Sequence, residues 1–232
     1  YGVGGGITWD STWESEYREV HQKAAVLYRK QARFQLITTG KISKKQLLFE
    51  EQHLERLTKA SRYFAYPFHP EDLRQKIEEE CQVCDANQDY RLRIILSKSG
   101  EIELSRQILT PLSPSFCQAK VCLQEADLQQ AFTYFKTTHR PHLSLGEQEK
   151  IYHNKSGELL ETSIGNLVLK INGKLYTPPS YLGLLPGIYR QHLLESGQVE
   201  ERILIIEDLA QAEAIYGCNA VRGLYELSVK EN

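Results

Sequence analysis

The feature that most constrains this chain is an acid inside an apolar run. Residues 157–167 read Gly-Glu-Leu-Leu-Glu-Thr-Ser-Ile-Gly-Asn-Leu, and a strand is expected to continue from Asn166 to Ile171. A fold that buries Leu159, Leu160 and Leu167 also buries Glu161, and an unpaired carboxylate there is costly. Glu158, beside the turn at Ser156-Gly157, is the weaker candidate for a buried role. Asn172-Gly173 follows as a strong type I′ hairpin signal, so Lys174 to Thr177 should pair back on the first strand.

Two remote segments carry complementary chemistry. Twenty-five positions before Glu161 lies Tyr-Phe-Lys-Thr-Thr-His-Arg, with Lys136 at its centre. A lysine among aromatic and apolar neighbours loses hydration, which lowers its pKa and leaves more neutral amine. By residue type alone it reads equally as a strand-edge charge facing water. Downstream, residues 184–190 read Leu-Leu-Pro-Gly-Ile-Tyr-Arg and open a helix, Ile188 to Glu195, stopped by Gly197. Gly187 and Ile188 would present free N–H groups to an anion. An amine, a carboxylate and a helix N-terminus are the parts needed to hold pyridoxal 5'-phosphate (PLP).

Composition narrows the alternatives. The 232 residues carry 28 Lys and Arg against 30 Asp and Glu, a net charge of −2. That balance offers no basic stripe for nucleic acid, and no apolar run reaches membrane-spanning length. Five cysteines, an odd number, fit a reduced, cytoplasmic protein. Cys81 and Cys84 form a lone CxxC without the further ligands zinc needs, so they read as packing thiols and no metal is expected. The absence of any methionine is expected of a fragment.

The rest of the chain alternates strand and helix signals. Arg33 to Thr39 reads as a buried strand with a turn at Gly40 to Lys45. Glu50 to Phe64 is an amphipathic helix with Leu54, Leu57 and Ala60 on one face. Glu71 to Glu80 is a second helix, with Pro70 at its first turn. Tyr90 to Leu96 alternates as a half-exposed strand, and Ser99-Gly100 turns it into Glu101 to Arg106. Pro111 to Ser115 is a loop between two halves, and Ala119 to Gln124 resumes strand. Val199 to Ile206 reads as a strand and Glu207 to Ala214 as a short helix.

Taken together, the Lys136, Glu161 and Gly187 segments resemble the PLP enzymes of fold type IV, the class IV aminotransferase-like family. That family includes branched-chain and D-amino-acid aminotransferases and 4-amino-4-deoxychorismate lyase. The resemblance covers roughly residues 33–228. It implies an α+β, two-domain D-amino-acid aminotransferase-like fold. A smaller α+β domain would span 31–115, and a PLP-binding domain with a barrel-like β-core 116–232, with the cofactor between them. Lys136 would be the Schiff-base lysine and Glu161 the partner of the pyridine nitrogen. Arg56, in His-Leu-Glu-Arg-Leu, would reach the phosphate beside Gly187, Ile188, Asn219 and Ala220. His53 reads as structural. Thr38, in a Thr-Thr pair that lyases of the family show, would serve as a catalytic hydroxyl. The Cys-Asn-Ala sequence at 218–220 and Tyr189 also favour the lyase form. The interval from Lys136 to Glu161 is shorter than in the family, so an interrupted, mobile segment is expected around His142 to Gly146.

Residues 1–30 are similar to the closing segment of chorismate-binding synthases, in which glycines approach chorismate and helix glutamates, here Glu16 and Glu19, hold magnesium. Only the last small piece of such a domain is present. The resemblance therefore implies the C-terminal part of a fusion with aminodeoxychorismate synthase component I. The implied activity is 4-amino-4-deoxychorismate lyase, yielding 4-aminobenzoate and pyruvate in folate biosynthesis. The alternatives are an aminotransferase on the same cofactor, or a non-catalytic assembly domain. A homodimer, and association with a glutamine amidotransferase through the full-length fusion, are expected of such a protein.

Overall fold

The structure, a computed structural model, describes residues 2, 3, 5–28, 33–124 and 131–229, without the side chains of 25–28. The chain forms two compact units, 1–33 and 34–232. The boundary drawn from sequence at residue 30 lies outside the described residues.

The first unit holds helix α1, Trp13–Tyr28. The Thr12 hydroxyl accepts the Ser15 N–H at 3.2 Å and so caps the helix start. Ser11 Oγ donates to Glu16 Oε1 at 2.7 Å.

In the second unit, β1 (Leu36–Ser43), β2 (Gln46–Leu47), β3 (Tyr90–Leu96) and β4 (Ile102–Ile108) form an antiparallel sheet in the order β2-β1-β3-β4. Strand alternation sends Leu36, Thr38, Gly40 and Ile42 of β1 to a buried face. There they meet Leu92, Ile94 and Leu96 of β3 and the apolar stripes of α2 (Glu50–Phe64) and α3 (Pro70–Gln82). Leu54, Leu57 and Ala60 recur at helical spacing, so α2 buries one face against the sheet.

The larger sheet uses β5 (Gln118–Leu123), β6 (Lys150–His153), β7 (Leu159–Thr162), β8 (Asn166–Ile171), β9 (Lys174–Thr177), β10 (Glu200–Glu201), β11 (Ala214–Asn219) and β12 (Gly223–Val229). Their order is β10-β9-β8-β11-β12-β5-β6-β7, and β7 also pairs with β8. That last pairing closes six strands into a ring, around a core that includes Ile151, Leu159, Leu167, Leu169 and Leu227. The loop at Pro111 to Ser115 lies between the two sheets. Short helices α4 (Ala131–Tyr134), α5 (Ile188–Glu195) and α6 (Asp208–Gln211) complete the unit. The β8–β9 turn has φ 51° at Asn172 and 75° at Gly173, as a type I′ turn requires.

Three expectations need correction. The turn read at Gly40 to Lys45 is confined to Lys44 and Lys45, because β1 stays paired with β3 through Ile42 and with β2 through Ser43. Val199 to Ile206 is not a continuous strand: Glu200–Glu201 pair parallel to β9, and Ile205 makes an isolated antiparallel bridge to Glu158. The backbone groups beyond turn to different neighbours. Arg202 N–H bonds Thr177 O at 3.0 Å, while Leu204 O accepts from Leu159 N–H at 2.7 Å. The helix after it shrinks to Asp208–Gln211, because Glu213 N–H already bonds Lys170 O at 2.8 Å as β11 begins.

Among the described residues, no helix is long and apolar enough to cross a membrane. None of the described His, Cys, Asp and Glu side chains cluster in threes to hold a metal. Cys81 and Cys84 are buried free thiols.

Candidate active site

Lys136 follows α4 and is tied to the start of β1. Its carbonyl accepts the Ile37 N–H at 3.0 Å, and Thr138 N–H bonds Gln35 O at 2.9 Å. Phe135 beside it packs on the smaller sheet's core, its ring 4.6 Å from that of Tyr63. Lys136 is therefore set by the smaller sheet although it stands after β5 in sequence. Glu161 comes from β7, where every residue is buried. Arg56 lies on α2, and its Nη2 donates to Pro186 O at 2.7 Å. This bond links α2 to the turn that opens α5.

That turn is built on a close contact. Gly187 is the N-cap of α5, and a Cβ on it would sit 1.9 Å from Asn166 Oδ1. Asn166 in turn donates from Nδ2 to Leu185 O at 2.7 Å. The glycine allows β8 to hold the turn, and Gly187 and Ile188 at the start of α5 line the cavity. Asn219 has both ends of its carboxamide engaged: Oδ1 accepts from Val221 and Arg222 N–H at 3.0 and 2.9 Å, and Nδ2 donates to Ile164 O at 3.2 Å. Its side chain shapes the β11–β12 turn, and Ala220 follows at the cavity wall.

Lys136, Glu161, Arg56, Gly187, Ile188, Asn219 and Ala220 all line one cavity. Thr38 does not join them. It is fully buried on the opposite face of β1, where its hydroxyl meets His53 Nδ1 at 2.6 Å. Strand alternation turns Thr39 to the cavity instead.

The charges in this cavity perturb one another. Burial, with the Arg140 and Arg56 guanidinium groups, lowers the Lys136 pKa to about 7, against the opposing pull of Glu161. Burial and Arg140 bring Arg56 down to about 10. Burial raises Glu161, partly offset by Arg140 and Lys136. His53, fully buried, falls to about 3 through burial and the charges of Arg56 and Lys136. At neutral pH a substantial share of Lys136 is therefore the free amine, the form that attacks a carbonyl.

Arg140 has the strongest contact that sequence reasoning missed. Its Nη2 lies 3.2 and 3.3 Å from the two oxygens of Glu161. The only signal in the sequence was its place four residues after Lys136. Nor is the segment after it an interruption. Leu143 N–H bonds Arg140 O at 3.1 Å, His142 is buried, and Ser144 N–H bonds the Tyr152 hydroxyl at 2.9 Å.

The donor set fits PLP. A guanidinium and a helix N-terminus suit a phosphate, a neutral amine suits an aldehyde, and a buried carboxylate suits a protonated ring nitrogen. The Gly187–Asn166 contact shows the cradle to be built rather than incidental.

Comparison with known proteins agrees. Residues 35–228 match the family model for amino-transferase class IV. Aminodeoxychorismate lyase of Saccharomyces cerevisiae is 26% identical over 68% of this chain and 56% of its own length. The chain spans 61% and 56% of the length of two curated relatives it matches. Among solved structures, a Mesorhizobium loti protein provisionally named an amino-acid aminotransferase is 27% identical, covering 85% of this chain and all of that one, with a TM-score of 0.74. A PLP-bound hypothetical aminotransferase of Mycobacterium tuberculosis has a TM-score of 0.68 at 17% identity, over 84% and 81% of the two chains.

Proposed function

Because the chain belongs to the class IV aminotransferase family, whose fold-type-IV members are PLP-dependent, we propose that it binds PLP and acts as a 4-amino-4-deoxychorismate lyase. The observation that carries this reading is the shared cavity of Lys136, Glu161, Arg56 and the start of α5. The lyase choice is supported by the name of the yeast relative and by the look of the first thirty residues.

Arg56 and the N–H groups at Gly187 and Ile188 would hold the phosphate, with the β11–β12 turn at Asn219 and Ala220 lining the same cavity. Glu161 would accept a hydrogen bond from the cofactor's protonated ring nitrogen. Lys136 Nζ would hold the cofactor through its aldehyde, and as a free amine it is the base available to take the proton from the carbon that bears the substrate's amine. The bound cofactor supplies an electron sink for that carbon. Loss of the side chain as pyruvate then leaves the aromatic ring of 4-aminobenzoate. Thr39, on the cavity wall, is better placed than Thr38 to give the leaving group its proton.

Homodimerisation, and a full-length fusion that meets a glutamine amidotransferase, belong to the same proposal. Light scattering and co-purification test them.

The functional test is pyruvate release from 4-amino-4-deoxychorismate with PLP and no amino acceptor. Stoichiometric pyruvate and 4-aminobenzoate are expected. A strict requirement for a 2-oxo acid, with amino transfer to it, would instead make the protein an aminotransferase. Lys136→Ala should lose turnover, and retained turnover would refute the role given to that residue.

A further inference from the structure

The segment Lys136–Arg140 puts both of its end residues on the cavity wall. Lys136 supplies the amine, and Arg140 meets Glu161 with one nitrogen between both carboxylate oxygens, at 3.2 and 3.3 Å. The two side chains are 14% and 3% exposed, so little water screens the pair. Glu161 has a second anchor in the Leu185 N–H, 3.4 Å from Oε1. His142 Nε2 stands 4.0 Å from the same oxygen. That ring is nearly all buried and neither of its nitrogens has a partner. Arg140 Nε is likewise buried without a hydrogen-bond partner. Arg140 is thus committed to Glu161 rather than spread over a surface network.

We propose that Arg140 is a positioning residue for the cofactor's ring nitrogen, acting through Glu161: it keeps that carboxylate ionised and aimed into the cavity. This rests on the PLP reading above.

The physical case has two parts. A carboxylate this deeply enclosed is driven toward its neutral form unless a cation stays close. The groups facing Glu161 are Arg140, His142 and Lys136. Burial drives the His142 pKa down to about 4, so this imidazole is neutral at pH 7. Lys136 is partly neutral there and would be consumed in holding the cofactor. Arg140 is the one of the three that carries a guanidinium, a fork of donors matched to a carboxylate. Second, Arg140 also faces the amine. Among the charges facing Lys136, which are Arg140, Arg56, Arg93 and Glu161, it is the largest that favours the neutral form. One guanidinium therefore pushes two groups in useful opposite senses, the acid toward its anion and the amine toward its free base.

The test is binding of PLP against its 1-deaza analogue, in which carbon replaces the ring nitrogen, to wild type and to Arg140→Gln, followed by absorbance and fluorescence. Wild type should prefer PLP, and Arg140→Gln should lose that preference by about ten-fold or more. Arg140→Lys, which retains the cation, should keep the preference. The absorbance of bound PLP should also titrate at a different pH in Arg140→Gln. A purely structural role would weaken both ligands equally and leave the preference and the pH profile unchanged, which would overturn the proposal. If Arg140→Gln fails to fold, the same ratio is measured for Arg140→Lys and for Arg140→Gln/Glu161→Gln, where the pair becomes neutral. Arg140→Lys should keep the preference and the neutral pair should lose it, and an undiminished preference in the neutral pair refutes the role. Wild type that takes up neither ligand would instead refute the PLP reading itself.

Discussion

Replacing Gly187 with alanine should damage the site through a single contact. Gly187 has φ −69° and ψ 141°, a conformation alanine adopts freely, so backbone strain contributes nothing. The new methyl would stand 1.9 Å from Asn166 Oδ1 and 3.1 Å from its Cγ. Asn166 is 3% exposed and its Nδ2 bonds Leu185 O at 2.7 Å. Either the carboxamide rotates and leaves a buried donor and acceptor unpaired, or the turn moves and α5 shifts with it. Each route costs about 1–3 kcal/mol. For a chain of this size that corresponds to a fall in Tm of roughly 2–12 °C. The phosphate site should weaken too, since Arg56 bonds Pro186 O, next to the altered residue. Thermal unfolding followed by circular dichroism, with and without PLP, reads both effects. Asn166→Ala/Gly187→Ala removes the offending oxygen, so it should be no less stable than Asn166→Ala alone. A Gly187→Ala protein with wild-type Tm and wild-type PLP affinity would refute the account of the turn.

Further outcomes follow from the same geometry. The folded pKa of Lys136, about 7, lies below its ordinary 10.5. Between those values the unfolded chain holds a proton that the folded chain does not, so this group's unfavourable contribution shrinks as pH rises through that window. Lys136→Met should accordingly gain stability over wild type most clearly below pH 7, with the gain fading toward pH 10 in urea unfolding. Arg56→Ala should lose about ten- to a hundred-fold in affinity for PLP and for inorganic phosphate, as expected for a charge-assisted contact. Thr38→Val should cost about 1 kcal/mol through its lost bond to His53 and leave turnover within a few-fold. Thr39→Val should lower turnover, and the reverse pattern in kinetic assays would restore Thr38 to the cavity.

What the sequence discloses here tracks the range of the forces involved. The α2 stripe, the β1 and β3 strands and the Asn172-Gly173 hairpin depend on neighbours a few residues apart, and their patterns are plain. The acid at Glu161 was legible because it breaks an apolar run. The face of β1 was not, because Leu-Ile-Thr-Thr offers an apolar and a polar residue in either phase of the alternation. Only packing against His53 selects Thr38 for the interior. The Val199 to Ile206 segment has a strand's composition, but its hydrogen bonds go to Thr177 at one end and Leu159 at the other. Arg140 was visible as the last residue of the Lys136 segment, but its role was not, because its partner comes from β7, set by the way the strands close and not by local pattern.

The most direct measurement is chemical trapping in the cavity. Protein incubated with PLP is treated with sodium borohydride, which makes the bond between an amine and the aldehyde permanent, and is then digested and weighed by mass spectrometry. The account predicts one phosphopyridoxyl group per chain, on the peptide that contains Lys136. It would be contradicted by a group attached elsewhere, or by a chain that takes up none.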